Sequence, residues 1–259
     1  MVSWDYYLNF PKTHRWFIKS FKKEKRFISL NHTIKKHRFL LIDFLRKNNL
    51  LEEGYVSFFH NKFKEKFFNI AKDLNWTLEQ TNEFYDWLNL NPLSVDVDLD
   101  YDYEKKLETS SAAPNEVFNV NTDLAYKNSY FNILTETIFF EDTSLSIYEN
   151  YLNERNVLPI NTFQPFIVLN GVGHMKQFNK LGFKSFHPYI DESYDDEDDP
   201  HKRFDMITKE IKRLCDMGDK EIYDWYWSME EILIHNYNHF HNDFLPKQIQ
   251  GFYDEFIFE

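Results

Sequence analysis

The chain has 259 residues, of which 42% are hydrophobic and 19% aromatic, with a formal net charge of −12 and one cysteine, Cys215. So much apolar material excludes a disordered chain and suffices for one large domain or two small ones; a lone cysteine excludes an internal disulfide and a thiolate-built zinc site, which points to a reducing compartment, the cytoplasm, or the host cytoplasm if the chain is viral. No signal-peptide pattern opens the sequence, and apolar runs such as FLLIDFL and FIVL are too short to span a membrane.

In chain order, residues 4–24 read as a helix, with Trp16, Phe17 and Phe21 among lysines. From Lys12 to Arg38 there are ten Lys or Arg against one acid, Glu24, a basic stretch on an acidic body that suits an anionic partner. RFISLN (26–31) alternates like a strand, and 37–54 has the apolar spacing of a helix stopping at Gly54. YVSFFH (55–60) reads as a strand, followed by helices at 62–73 and 77–89.

The run SVDVDLDYD from Ser94 reads as an acidic strand leading into a polar loop, and marks a boundary between an N-terminal lobe (1–112) and a C-terminal lobe (113–259). Beyond it come a strand (129–140), a helix (143–155) capped by Thr143 or Ser144, and QPFIVLN (164–170), continuously apolar like a strand buried on both faces. A glycine turn, a short helix ending at Gly182 and a strand at 183–186 follow, then helices at 200–216, 219–240 and 246–258. Strands alternating with helices predict an α/β fold with a parallel sheet, in which ligands bind at the carboxyl ends of the strands.

Several stretches carry a resemblance: NILTETIFF, LNERNVLPI, QPFIVLNGVGHMKQFNKLGFKSF, DESYDDEDDPHKRF, His235–Asn236, and SLNHTIKKHRFLLIDFLRKNNLLEEGYVSF in the first half. In order and spacing they resemble a glycosyltransferase-like family of bacteria, phages and large DNA viruses, related to the nucleotide-sugar half of fucosyltransferase-type enzymes. The resemblance implies a Rossmann-like, reduced GT-B-like two-lobed architecture with a helical C-terminus. It also implies transfer of a sugar from a UDP- or GDP-linked donor to a hydroxyl acceptor, with a hydroxymethylated base in phage DNA as a narrower version. Carried over residue by residue, Glu154 binds the donor ribose and Arg155 the phosphate, where arginine stands for the family's lysine; Asn153, Asn156 and Leu158 depart from its pattern.

Arg38 at a helix start, and the Gly171, Gly173 and His174 turn at a helix N-terminus, complete the expected donor site. His37, Asp191 and Glu136 are the candidates for acid–base work, with no choice made among them. If DNA is the acceptor, Lys22, Lys23, Lys25, Arg26, Lys35 and Lys36 would meet its backbone. Asp96, Asp98, Asp100 and Asp102 imitate a metal-binding Asp-x-Asp, and His235, His239 and His241 imitate a zinc site; charged-surface and packed-histidine readings are preferred, and no metal is expected. The competing reading is a non-catalytic binding or assembly module that keeps the fold.

Overall fold

The computed structural model describes residues 17–31, 33–60, 63–93, 125–140 and 154–250. The chain runs β1 (Lys25–Asn31), α1 (Lys36–Lys47), β2 (Gly54–Phe58), α2 (Lys64–Asp73), α3 (Leu78–Leu90), β3 (Ser129–Thr135), α4 (Glu154–Asn161), β4 (Phe166–Leu169), α5 (His174–Lys180), α6 (Pro200–Cys215), α7 (Asp219–Ser228) and α8 (Glu230–His239). A π-helical turn at Phe240–Phe244 continues α8.

The four strands form one all-parallel sheet in the order β2-β1-β3-β4. This is a Rossmann-like α/β arrangement. Its strands come from both sides of residue 112, so the two expected lobes share one sheet, with β1 paired directly to β3. Residue 112 and the Asp96–Asp102 run lie outside the described residues.

Alternation along β1 sends Phe27, Ser29 and Asn31 to one face and Ile28 and Leu30 to the other. Phe27 joins Phe131, Ile133, Phe39, Ile42, Ile211 and Tyr226 in the main core. Ile28 packs on the opposite face with Ala125, Tyr126 and Leu158 of α4. Outside the sheet, Phe39 of α1 meets Phe67 of α2 at 4.8 Å and Phe84 of α3 edge-on at 5.2 Å, tying the first half's helices together through aromatic contacts.

Four expected elements differ. Residues 17–24 contain no helix. The helix expected over 37–54 ends at Lys47, because Asn49 adopts a left-handed φ of 58°; Gly54 then begins β2 instead of closing a helix. No strand forms at 183–186: the Asn236 side chain accepts from Lys184 N and donates to Lys184 O, satisfying the backbone that a neighbouring strand would have bonded. The helix expected over 219–240 breaks at Met229 into α7 and α8.

Candidate functional site

The strand order reverses direction at β1, so the crevice outside the carboxyl ends of β1 and β3 is the place where a doubly wound sheet binds ligands. Polar side chains converge there. Thr135 Oγ1 donates to Asn31 Oδ1 at 2.8 Å, and Asn31 Nδ2 donates to Ser29 Oγ at 3.1 Å. Ser57 of β2 accepts from Asn31 N at 3.1 Å, so the network crosses three strands. Ser29, Asn31, Ser57 and Thr135 are all buried.

Arg38 and His37 reach this edge from the first turn of α1 and are also buried. Arg38 donates through Nη1 to Thr33 O and Oγ1, at 2.9 and 2.7 Å, and through Nη2 to Thr135 O and Glu136 O, at 2.8 and 3.3 Å. Its guanidinium bridges the ends of β1 and β3 and is engaged by the protein's own carbonyls, where a phosphate ligand had been expected. His37 Nε2 donates to Glu136 O at 2.9 Å, which places the imidazole proton on that nitrogen.

Glu136 is buried immediately beyond β3. Its backbone N–H continues the ladder to Leu169 O at 2.9 Å, and its Oε1 accepts from Asn156 Nδ2 of α4 at 3.2 Å. Glu154 and Arg155 supply the first two backbone positions of α4; their side chains lie outside the described set.

At the carboxyl end of β4 the glycine turn is also occupied. Gly171 N donates to Asn170 Oδ1, and Gly173 N donates to Asp195 O. The Asp195 carboxylate accepts from Met175 N and Lys176 N at 3.0 and 3.1 Å. The expected Gly171 and Gly173 amides are thus bonded to a side-chain oxygen and a backbone carbonyl, and it is the next amides of α5, Met175 and Lys176, that hold an internal carboxylate. Burial raises the Asp195 pKa, opposed by those two amides.

His174 takes another role than anion binding. Asn170 uses its oxygen on Gly171 N, so its Nδ2 donates to His174 Nδ1 at 2.7 Å and the imidazole proton sits on Nε2. Burial pulls the His174 pKa down to about 4, which keeps the ring neutral at pH 7.

Asp191 stands apart from Glu136. It is exposed, accepts from Ser193 N at 3.0 Å, and its pKa is lowered by hydrogen bonds from the Ser193 hydroxyl and amide, which makes it a weaker base. Its neighbour Glu192, missed in the sequence, is, like Asp195, shifted upward. Burial raises Glu192 to about 7, while its Oε1 accepts from Phe186 N at 2.7 Å. Arg203 was missed as well: at the start of α6 it donates to Glu197 O and to Phe139 O, the latter in the segment following β3.

The basic stretch divides. Lys22, Lys23, Lys25 and Arg26 lie at the amino end of β1, while Lys35 and Lys36 lie beyond its carboxyl end, so seven residues at ~3.3 Å each hold them about 20 Å apart. At the amino end, Lys22 and Arg26 both pair with Asp219, at 2.8 and 2.9 Å, and Lys25 donates to Glu52 O. Lys23 is buried and donates to Lys127 O. With Lys22 and Arg26 paired to acids and Lys23 and Lys25 bonded to carbonyls, this group does not form one continuous patch with Lys35 and Lys36.

The C-terminal histidines cap a helix end. His239 Nε2 donates to Leu181 O and His235 Nε2 to Gly182 O, both just beyond α5, and His241 meets Asn161 Oδ1. Among the described residues no cluster of three or more His, Cys, Asp or Glu has metal-binding geometry, and no helix is long and apolar enough to cross a membrane.

No protein family, curated protein or solved structure matches the chain. The functional reading therefore rests on the site's own geometry and on the resemblance in sequence.

Proposed function

We propose that the protein is a nucleotide-sugar-dependent glycosyltransferase whose reacting centre lies at the carboxyl edge between β1 and β3. The observation that supports this reading is the hydrogen bond from Asn156 to Glu136. It joins two separate stretches, TETIFF and ERNVLPIN, and holds the buried Glu136 carboxylate through Asn156, the residue that follows Arg155 in sequence. Glu136 accepts the proton of the acceptor hydroxyl as its oxygen bonds to the anomeric carbon and the nucleoside diphosphate departs. Arg155 meets the developing diphosphate charge and Glu154 the ribose.

On this reading the one sheet serves both the donor and the acceptor side of a reduced GT-B-like architecture. The donor is UDP- or GDP-linked, and the diphosphate is neutralised by cationic side chains without a required metal. A hydroxymethylated base in DNA fits as acceptor only by approaching Lys35 and Lys36, since Arg38, the third member of the basic stretch at this edge, is buried.

A specific observation favours the second reading, a binding or assembly module without catalysis. Arg38 and the amides of α5 are already engaged within the protein. Thermal unfolding with UDP, GDP and their sugar conjugates separates the two. Ligand at a hundredfold excess over its dissociation constant adds about 2.7 kcal/mol, which raises the melting temperature by roughly 5 °C or more. The glycosyltransferase reading expects that rise, its loss in Arg155→Ala, and in Glu136→Gln retained binding with loss of sugar transfer. No rise with any nucleotide, or transfer unaffected by Glu136→Gln, overturns it.

A further inference from the structure

The amino end of the sheet carries a device unrelated to the site at the carboxyl edge. Residues 17–24 cross α7 without forming a helix of their own. Phe17 stacks on Phe163 at 4.5 Å and lies 4.8 Å from Trp227, while Phe163 stacks on Tyr237 from its other neighbour, also at 4.5 Å. Lys19 pairs with Glu230 and its carbonyl accepts from Tyr223 Oη at 2.6 Å. Lys22 pairs with Asp219, and Glu24 N donates to Asn128 O at 2.9 Å. Aromatic contacts at one end and ion pairs along the length thus fasten a short strap to the C-terminal helices.

Among the lysines of the strap Lys23 is the one without a carboxylate partner among the described residues. The residue is 7% exposed, and its ε-amine donates to Lys127 O at 2.9 Å and lies 4.9 Å from the centre of the Tyr226 ring. The groups facing it are the Tyr226 ring from α7 and the Lys127 side chain from the turn before β3; Tyr130 of β3 lies against the Lys23 backbone, and Asp219 is taken by Lys22 and Arg26. A neutral amine suits that environment, whereas an aminium there meets one carbonyl, one ring face and a like charge.

We propose that residues 17–24 form a strap whose closure over the aromatic face of α7 is controlled by protonation of Lys23, and that its release uncovers Phe163, Tyr226 and Trp227. Burial, aided by Lys127, pulls the Lys23 pKa down from 10.5 to about 7 when the strap is closed. An opened strap returns it to the ordinary lysine range. The closed form therefore binds fewer protons between pH 7 and 10.5, and closure strengthens by up to about tenfold per pH unit as pH rises through that window, with no change below pH 7. Tyr130 and Tyr226 do not interfere, because burial pushes both of their pKa values upward.

Thermolysin cleavage before Phe17, Ile18 and Phe21 of the full chain reads the open population when reclosing is faster than cleavage. Rates are divided, at each pH, by those on a free peptide of the same sequence. The expected wild-type result is constant susceptibility from pH 6 to 7 and a fall of at least tenfold between pH 7 and 9. Lys23→Met removes the dependence and stays low, while Lys22→Met raises susceptibility without changing the slope. A direct NMR titration of the Lys23 ε-nitrogen in the unsubstituted chain, with a midpoint near 7 expected, decides the matter if Lys23→Met does not fold. An unchanged slope in Lys23→Met, a flat wild-type profile, or an ordinary lysine midpoint overturns the proposal.

Discussion

Thr135 donates its hydroxyl hydrogen to Asn31 Oδ1 at 2.8 Å across the junction of β3 and β1, joining residues 104 positions apart at the one place where strand order reverses. Both side chains are buried, so neither has water as an alternative partner. This pair fixes the register of the two halves of the chain at the edge where the candidate site lies.

Thr135→Val keeps the volume and deletes the donor, leaving Asn31 Oδ1 without its threonine partner. The expected loss is about 1–3 kcal/mol, the range for stranding a buried polar atom. Asn31→Leu costs a similar amount because it deprives the Thr135 hydroxyl of the Asn31 oxygen, while Ser29 keeps its bond to Ile133 O. The double variant is expected to lose less than the sum of the two, since the second change removes a group already stranded. Urea unfolding of the four proteins measures the coupling, and strict additivity contradicts this account.

Arg38 makes a second test of the same junction. Arg38→Met removes donors from the carbonyls of Thr33, Thr135 and Glu136, and about 2–3 kcal/mol of stability should go with them. Arg38→Lys recovers less than half of that, because a point ammonium cannot reproduce a planar fork spanning two strand ends. Denaturant midpoints of the two variants check the order; equal stability of lysine and arginine would show that the fork geometry is unimportant here.

Two glycines with negative φ separate steric need from cap chemistry. A Cβ on Gly54 meets the Phe27 ring at 2.4 Å, and Phe27 is fully buried, so Gly54→Ala is expected to cost about 2–3 kcal/mol through overpacking. At Gly218, the N-cap of α7, a Cβ meets nothing. Gly218→Ser adds a side-chain acceptor for the first amides and should gain a few tenths of a kcal/mol. Melting temperatures moving in opposite directions bear this out.

The elements legible in sequence were those whose burial follows a local period. FIVL is buried at all four positions, and the apolar spacing of Phe39, Ile42 and Leu45 marks α1. What failed to show was set by distant side chains. FKSF has the composition of a strand, yet its backbone is satisfied by Asn236, some fifty residues later. The site divided in the same way. Residue types at Arg38, Glu136 and the glycine turn suggested anion chemistry, but only three-dimensional placement reveals that Arg38 is consumed by carbonyls and the α5 amides by Asp195. Glu192 escaped notice because nothing local distinguishes it from the other acids of DESYDDEDD; its burial does.

That burial gives the last prediction. Glu192 is raised from 4.5 to about 7, so the native carboxyl keeps a proton that the unfolded chain has released. Its contribution is fully present below pH 4.5, is lost as pH rises from 4.5 to 7, and is constant above. Glu192→Gln retains an oxygen to accept from Phe186 N and does not titrate. Relative to wild type it should be neutral at pH 4 and more stable by about 1–2 kcal/mol at pH 8, a value discounted for the partial exposure of the side chain. His174 works in the opposite sense: with its pKa lowered from 6.5 to about 4, it makes stability rise with pH between those values. The two oppose each other across their overlap from pH 4.5 to 6.5 in the wild-type chain. Glu192→Gln removes the falling contribution, so its stability relative to wild type should grow with pH from 4.5 to 7 and stay constant above. Denaturant titrations at half-unit steps from pH 4 to 8 follow the two curves, and parallel curves would mean that Glu192 is ionised in the folded protein throughout.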